Sequence, residues 1–322
     1  MSCGEPLPSG AAPLFSIAAF LREVLPARGE TDVPRVAVVD VGAMDAGERP
    51  IFAPLAHAGL ADVTGFEPLE EECAKLNEDA RCQGAAGGST LRFLPVALGE
   101  GGRGEFRRCS QAMTSSMLEP DLGLLSQFHL LEEVTTVVGR SELETRRLDE
   151  LLPELPGRRV DFLKLDVQGY ELAVLRGAEA ALRGTLVVHT EVEFVQMYQG
   201  QPLFADVDAH LRSRGFVFHR FFGVKGSPTR AMALPLAEPP YSQQLWADAV
   251  YVRGLWSERA LRALAPAQLL RLALVLHEVY LSYDTVHSVL SVFDARVAAR
   301  YREAVFSRAA VGPARAPPWP AA

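Results

Sequence analysis

The apolar run Val36-Ala37-Val38-Val39 closes on Asp40-Val41-Gly42, and a second short strand downstream stops at Gly65-Phe66-Glu67-Pro68. A buried strand ending in an acid and a glycine, followed by a helix and another strand ending in an acid, is how open α/β sheets grip a nucleoside. The glycine lets backbone approach the ligand, and the second carboxylate accepts from ribose hydroxyls. The pattern puts Asp40, Gly42 and Glu67 at the carboxyl ends of adjacent strands and implies an adenosine-bearing cofactor. The blander alternatives are that either acid caps the following helix and that Gly42 serves a plain tight turn.

Period and punctuation extend this beginning into alternating strands and helices. Strands are expected at Val36 to Val41, Asp62 to Phe66, Leu91 to Leu98, Val160 to Asp166, Leu186 to Phe194, Phe216 to Phe222 and Leu245 to Val252. Helices are expected at Ile51 to Ala58, Leu69 to Asn77, Tyr170 to Leu182 and Phe204 to Arg214. Glu105 to Cys109 reads as an antiparallel ribbon, Val134 to Val138 as another extended piece, and Gln111 to Leu131 as a loop and short helix near the crevice. Beyond Gly254, three helical stretches follow at Ser257 to Leu264, Pro266 to Tyr280 and Tyr283 to Phe306. The middle one is apolar on more than one side, which predicts packing against the domain and against something else, such as a second subunit or partner. The expected organisation is a helical lead-in over 1–34, a nucleotide-gripping domain over 35–254, a helical appendage over 255–310 and a disordered tail over 311–322.

Composition narrows the function. With 322 residues and 48% hydrophobic content the chain can bury a real core, and its net charge of -8 without a long basic block argues against a nucleic-acid groove. The four cysteines form no metal-ligand spacing and no disulfide framework, so reduced thiols in a cytoplasm are expected. The first residues lack a basic segment and no long stretch runs free of charge, so neither export nor a membrane span is expected.

With the strands placed, the sequence resembles the FkbM family of S-adenosylmethionine-dependent methyltransferases. The carriers are Asp40-Val41-Gly42-Ala43, Gly65-Phe66-Glu67-Pro68, Pro95-Val96-Ala97-Leu98-Gly99, Arg147-Leu148-Asp149-Glu150-Leu151, and above all Asp161-Phe162-Leu163-Lys164-Leu165-Asp166-Val167-Gln168-Gly169-Tyr170-Glu171 with Val174-Leu175-Arg176-Gly177-Ala178. The resemblance implies a class I methyltransferase sheet, Rossmann-like, with seven mostly parallel strands, helices on both faces and the last strand antiparallel. It also implies S-adenosyl-L-methionine as cofactor and an oxygen as acceptor on a small molecule, glycan or glycolipid. Asp40, Gly42, Ala43, Glu67 and Pro68 would hold the cofactor, with Ala97 and Leu98 flanking its adenine. The chain departs from the pattern at Met44 and Ala46, so its glycine loop is altered.

For a methyl transfer to a hydroxyl, a base must lie within hydrogen-bonding reach. Lys164 and Asp166 share a face at the fourth strand's end, because alternate residues point the same way. Asp166 is either that base or a cofactor contact or helix cap; Lys164 either pairs with it or is structural. His189, Glu191 and Glu193 share a face of the fifth strand, which is expensive to bury unless something binds there, and Glu191 with Glu193 is the acceptor-side candidate. His189 alone reads as a hydrogen-bonded core histidine, and Glu171 as a favoured charge in a helix's first turn. No dense ligand motif predicts a metal, although Asp166 with Glu191 or Glu193 could hold a divalent cation. Two rival functions remain: a nicotinamide dehydrogenase, disfavoured because G-x-G-x-x-G is missing, and a non-catalytic relative whose helices recruit a partner.

Overall fold

The computed structural model describes residues 12–29, 32–44, 49–83, 88–234 and 241–309. The altered glycine loop from Asp45 to Glu48 and the Pro/Ala-rich tail lie outside these residues. Ten strands are described: β1 (Val36–Val41), β2 (Ala61–Phe66), β3 (Thr90–Leu94), β4 (Ala97–Leu98), β5 (Gly102–Cys109), β6 (Val137–Arg146), β7 (Phe162–Leu165), β8 (Val187–Glu193), β9 (Phe216–Gly226) and β10 (Gln244–Arg253). Seven of them form one sheet in the order β3-β2-β1-β7-β8-β10-β9, and β4-β6-β5 form a second. In the large sheet β1 runs parallel to β2 and β7, β2 to β3, and β7 to β8, while β10 is antiparallel to both β8 and β9. This is the expected class I methyltransferase sheet. The chain walks outward from β1 to β3 and returns to β7 on β1's other side, so strand order reverses between β1 and β7. Ligands bind at that switch point in open α/β sheets, because the diverging connections leave a crevice at the carboxyl ends of the strands.

Helices cover both faces. Before the large crossover come α1 (Ile17–Val24), α2 (Ala53–His57) and α3 (Glu70–Gln83), then the short α4 (Leu122–Leu125) and α5 (Leu131–Thr135). The second half carries α6 (Leu148–Leu151), α7 (Glu171–Arg176), α8 (Glu179–Gly184) and α9 (Phe204–Ser213), followed by α10 (Glu258–Arg262), α11 (Pro266–Glu278), α12 (Tyr283–Phe293) and α13 (Ala295–Ala309). Alternation along β1 splits the core: Val36 and Val38 join the cluster formed with α1 and α10–α13, whereas Val39 and Val41 join the one formed with α6–α9.

The C-terminal helices therefore pack on the sheet itself. All residues of α11 from Leu272 to Glu278 are buried. The helix is covered by α12 on one side and meets α1, α2 and β1 on the other. Arg271, its one arginine, reaches the buried carboxylate of Asp161 at 3.0 Å, just ahead of β7. The two-sided apolar character that suggested a second subunit is thus satisfied within the chain, which removes the argument for a homodimer or partner through these helices.

Four local expectations are corrected. Leu91 to Leu98 is not one strand: Pro95 supplies no N–H, Val96 N–H turns back to the Leu94 carbonyl at 2.9 Å, and Ala97–Leu98 leaves to pair with β6. The helix after Gly169 breaks at Gly177, where a Cβ would lie 1.9 Å from the Gly99 carbonyl oxygen. The last helical stretch breaks at Asp294, whose extended backbone and side chain cap α13 through Arg296 and Val297. Residues 131–135 are helical, so the extended piece begins only at Val137.

Candidate active site

A cavity of about 480 Å³ opens at the switch point, between the carboxyl ends of β1, β2, β7 and β8 and the second sheet with α4 and α5. A volume of this size is ordinary for small-ligand sites. Asp40, Gly42, Glu67, Pro68, Ala97, Leu98, Lys164, Asp166 and Glu191 all line it. Two expected residues do not: Ala43 is buried away from its surface, and the buried Glu193 clusters with Glu191 and Glu171.

Strand register builds the floor. Asp40 pairs with Lys164 across β1 and β7, and Lys164 pairs with His189 across β7 and β8, so the three side chains form a row on one face. Lys164 Nζ sits 3.3 Å from Asp40 Oδ1 and 3.5 Å from Asp166 Oδ2. Burial works against the lysine's charge, but the Asp40 and Asp166 carboxylates outweigh it and hold the ammonium above its ordinary pKa. Burial pushes the Asp40 carboxyl up while Lys164 pulls it back. Lys164 is thereby committed to two carboxylates, and it is Asp166, 41% exposed at its side chain, that faces the cavity. His189 ends the row as a core histidine, its Nδ1 3.0 Å from the Tyr280 hydroxyl at the end of the α11 layer.

Gly42 is the hinge of the floor. Its φ is +76°, and a Cβ there would lie 1.9 Å from the Asp166 carbonyl oxygen, so only glycine lets β1 and β7 approach this closely. Glu67, 3% exposed, accepts from Leu69 N–H at 2.9 Å through Oε1. Burial raises its carboxyl and that N–H partly offsets the rise. Its carboxylate, with Pro68 beside it and the apolar wall of Val96, Ala97 and Leu98 nearby, fits an adenosyl group: acceptor oxygens for a ribose diol and a greasy slot for a base.

Sequence reasoning missed the residue that ties the two sides together. Gln168 Nε2 donates to Asp166 Oδ1 at 2.9 Å and to Glu191 Oε2 at 2.8 Å, orienting both carboxylates. Its backbone is left-handed, φ +54°, and Ser116 Oγ donates to its carbonyl at 2.7 Å. A glutamine in a turn carries no such signal in sequence; the neighbouring Asp-x-x-Gly was the available clue. Behind it, Glu171, Glu191 and Glu193 bring carboxylate oxygens within 4.8 Å of one another, the donor set a hard cation would use. Burial first, then the neighbouring Asp166 carboxylate and, for Glu191 and Glu193, the other acids of the cluster push all three up, Glu171 to about 7 and the others well above the usual carboxylate range.

The sheet, its switch point and the carboxylate floor define a class I methyltransferase. The family profile described as Methyltransferase FkbM domain matches residues 40–218, more than half of the chain, and the chain belongs to the FkbM methyltransferase family. The 2-O-methyltransferase NoeI of Sinorhizobium fredii is 28% identical over 179 residues, 54% of this chain and 71% of NoeI. Among solved structures, a SAM-dependent methyltransferase from Methanosarcina mazei is 11% identical with a TM-score of 0.32, covering 71% of this chain and 96% of its own. A ribosomal methyltransferase from an uncultured bacterium is 8% identical with a TM-score of 0.30, covering 73% and 93%. No described helix is long and apolar enough to cross a membrane.

Proposed function

We propose that the chain transfers a methyl group from S-adenosylmethionine to a hydroxyl, with Asp166 as the base that receives the hydroxyl proton. The observation that carries this reading is the setting of Asp166 on the cavity wall, held by Lys164 on one oxygen and Gln168 on the other. A carboxylate fixed at both oxygens keeps one lone-pair direction for an incoming proton. Asp40, Gly42, Glu67, Pro68, Ala97 and Leu98 hold the cofactor, which when bound supplies an electrophilic methyl on a sulfonium and leaves as a neutral thioether. Glu67 takes the ribose diol, the Val96–Leu98 wall takes the base, and Gly42 keeps the strand ends close. Glu191, fixed by the same Gln168 amide, orients the acceptor, and Glu193 backs it from behind.

NoeI, by its name, is an O-methyltransferase, and this chain's carboxylate-lined floor suits an oxygen acceptor, which must lose one proton as it gains the methyl. The test is calorimetry with S-adenosylhomocysteine. Binding by the native chain, weakened at least about tenfold in Glu67→Ala, supports the reading; no binding at high ligand concentration rejects it.

A further inference from the structure

The cavity has two unlike walls. The floor at the strand ends is polar and charged, as described above. The opposite wall, built by β5, β6, α4, α5 and the segment 112–117 that precedes α4, presents Phe106, Met117, Leu125, Leu131, Val134 and Leu143. The hydroxyl groups that line this side are already committed to backbone. Thr114 Oγ1 donates to the Val134 carbonyl at 2.7 Å, with the Gln111 carbonyl at 2.9 Å as its alternative acceptor, and Thr135 Oγ1 donates to the Leu131 carbonyl at 2.6 Å. Ser116 donates to Gln168, Tyr198 OH donates to the Thr114 carbonyl at 2.8 Å, and Ser115 Oγ accepts from Cys109 N–H at 3.1 Å. No Lys, Arg, Asp or Glu from these elements lines the cavity among the described residues. A polyhydroxylated ligand pressed against this wall would lose its water and gain few hydrogen bonds in return, which is unfavourable, whereas an apolar one would gain.

We infer that the acceptor is an alcohol borne on an apolar body, either an alkyl chain or a hydrocarbon ring system, with its hydroxyl on the Asp166–Glu191 floor and the apolar part on the β5–β6–α4–α5 wall. This rests on the methyltransferase reading and narrows it. The rim agrees: Met113, an apolar side chain that lines the cavity, is 51% exposed.

The experiment is calorimetry on the full chain, first with S-adenosylhomocysteine and then, in its presence, with methyl β-glucoside and octyl β-glucoside below its micelle concentration. The two share a head group and differ only in the tail. The expected result is octyl glucoside binding at least about tenfold tighter, with the preference removed in Val134→Asp or Leu143→Asp while S-adenosylhomocysteine affinity is unchanged. Equal affinity for the two glucosides overturns the inference while leaving the cofactor reading intact, as does a tail preference that survives both substitutions. Failure of S-adenosylhomocysteine to bind marks instead the failure of the underlying methyltransferase reading.

Discussion

His277 in the helical layer and Gln168 at the cavity are both surrounded by buried polar groups, yet the two regions are built on opposite lines. His277 Nδ1 meets the Tyr301 hydroxyl at 2.7 Å and its Nε2 meets the Phe15 carbonyl at 2.8 Å, and the next residue, Glu278, accepts from Ile17 N–H at 3.2 Å. Those bonds lock the C-terminal helices to the N-terminal one. Beside the cavity, by contrast, Glu193 Oε1 and Gln201 Nε2 are buried without a hydrogen-bond partner among the described residues, and Asp166 on the cavity wall is left half open. Buried polar groups are ordinarily paired, and unpaired ones cost stability. The contrast teaches that the helical layer uses its polar groups to fix the fold, while the strand ends hold theirs at a cost to stability, which is typical of sites that bind or react.

The comparison breaks if substitutions fail to separate along it. Asp166→Asn carries the largest expected effect: methyl transfer to the acceptor, followed as a gain of one methyl mass, falls about 10²- to 10⁴-fold, with the melting temperature unchanged or raised. Glu67→Ala comes next, weakening S-adenosylhomocysteine about 10- to 100-fold by calorimetry, again without loss of melting temperature. A lower melting temperature with normal turnover in either variant would place the residue in the scaffold. His277→Ala should do the reverse. It strands the Tyr301 hydroxyl and the Phe15 carbonyl, destabilises by about 3 kcal/mol in urea unfolding, and leaves cofactor affinity as it was.

Gln168→Leu sharpens the picture of the floor. It preserves size but frees Asp166 and Glu191 from their shared donor, so turnover should drop about tenfold with little change in cofactor affinity. Equal losses of both would mean that Gln168 acts on the cofactor side.

The smallest effect is pH dependence in the helical layer. Burial raises Glu278 from its ordinary 4.5 to about 7. A raised folded value means that its contribution to stability is fully present below pH 4.5 and is lost as pH rises through 7. His277, lowered by burial from 6.5 to about 4, contributes fully above 6.5 and loses that contribution as pH falls through 4. Glu278→Gln should therefore gain melting temperature relative to the native chain as pH rises between 4.5 and 7. A difference independent of pH would show that the carboxyl titrates normally.

The legible parts of the molecule were those governed by period and position. β1 follows from a short apolar, β-branched run and β7 from a short run of Phe and Leu around Lys164, and Asp40, Gly42 and Glu67 from standing where the first two strands stop; all three reach the cavity. What stayed hidden depends on geometry that sequence period does not carry. Gln168 matters because a left-handed turn aims its amide at two carboxylates from two different strand ends. Glu171 joins Glu191 and Glu193 only because α7 docks beside β8. The apolar excess of α11 could be read, but not what covers it, since α1 and α12 lie far from it or follow it in sequence and meet it only in the folded chain. Likewise Ala97 and Leu98 reach the cavity from the second sheet, not from the end of the third strand, because Pro95 diverts the chain.

The most direct test of the whole account is titration of the native chain and of Glu67→Ala with S-adenosylhomocysteine, each paired with a thermal melt. The account predicts saturable binding by the native chain, a clear loss in the variant, and melting temperatures that coincide in the absence of ligand. Saturable binding that is indifferent to the substitution, or none at all by a well-folded native chain, would contradict it.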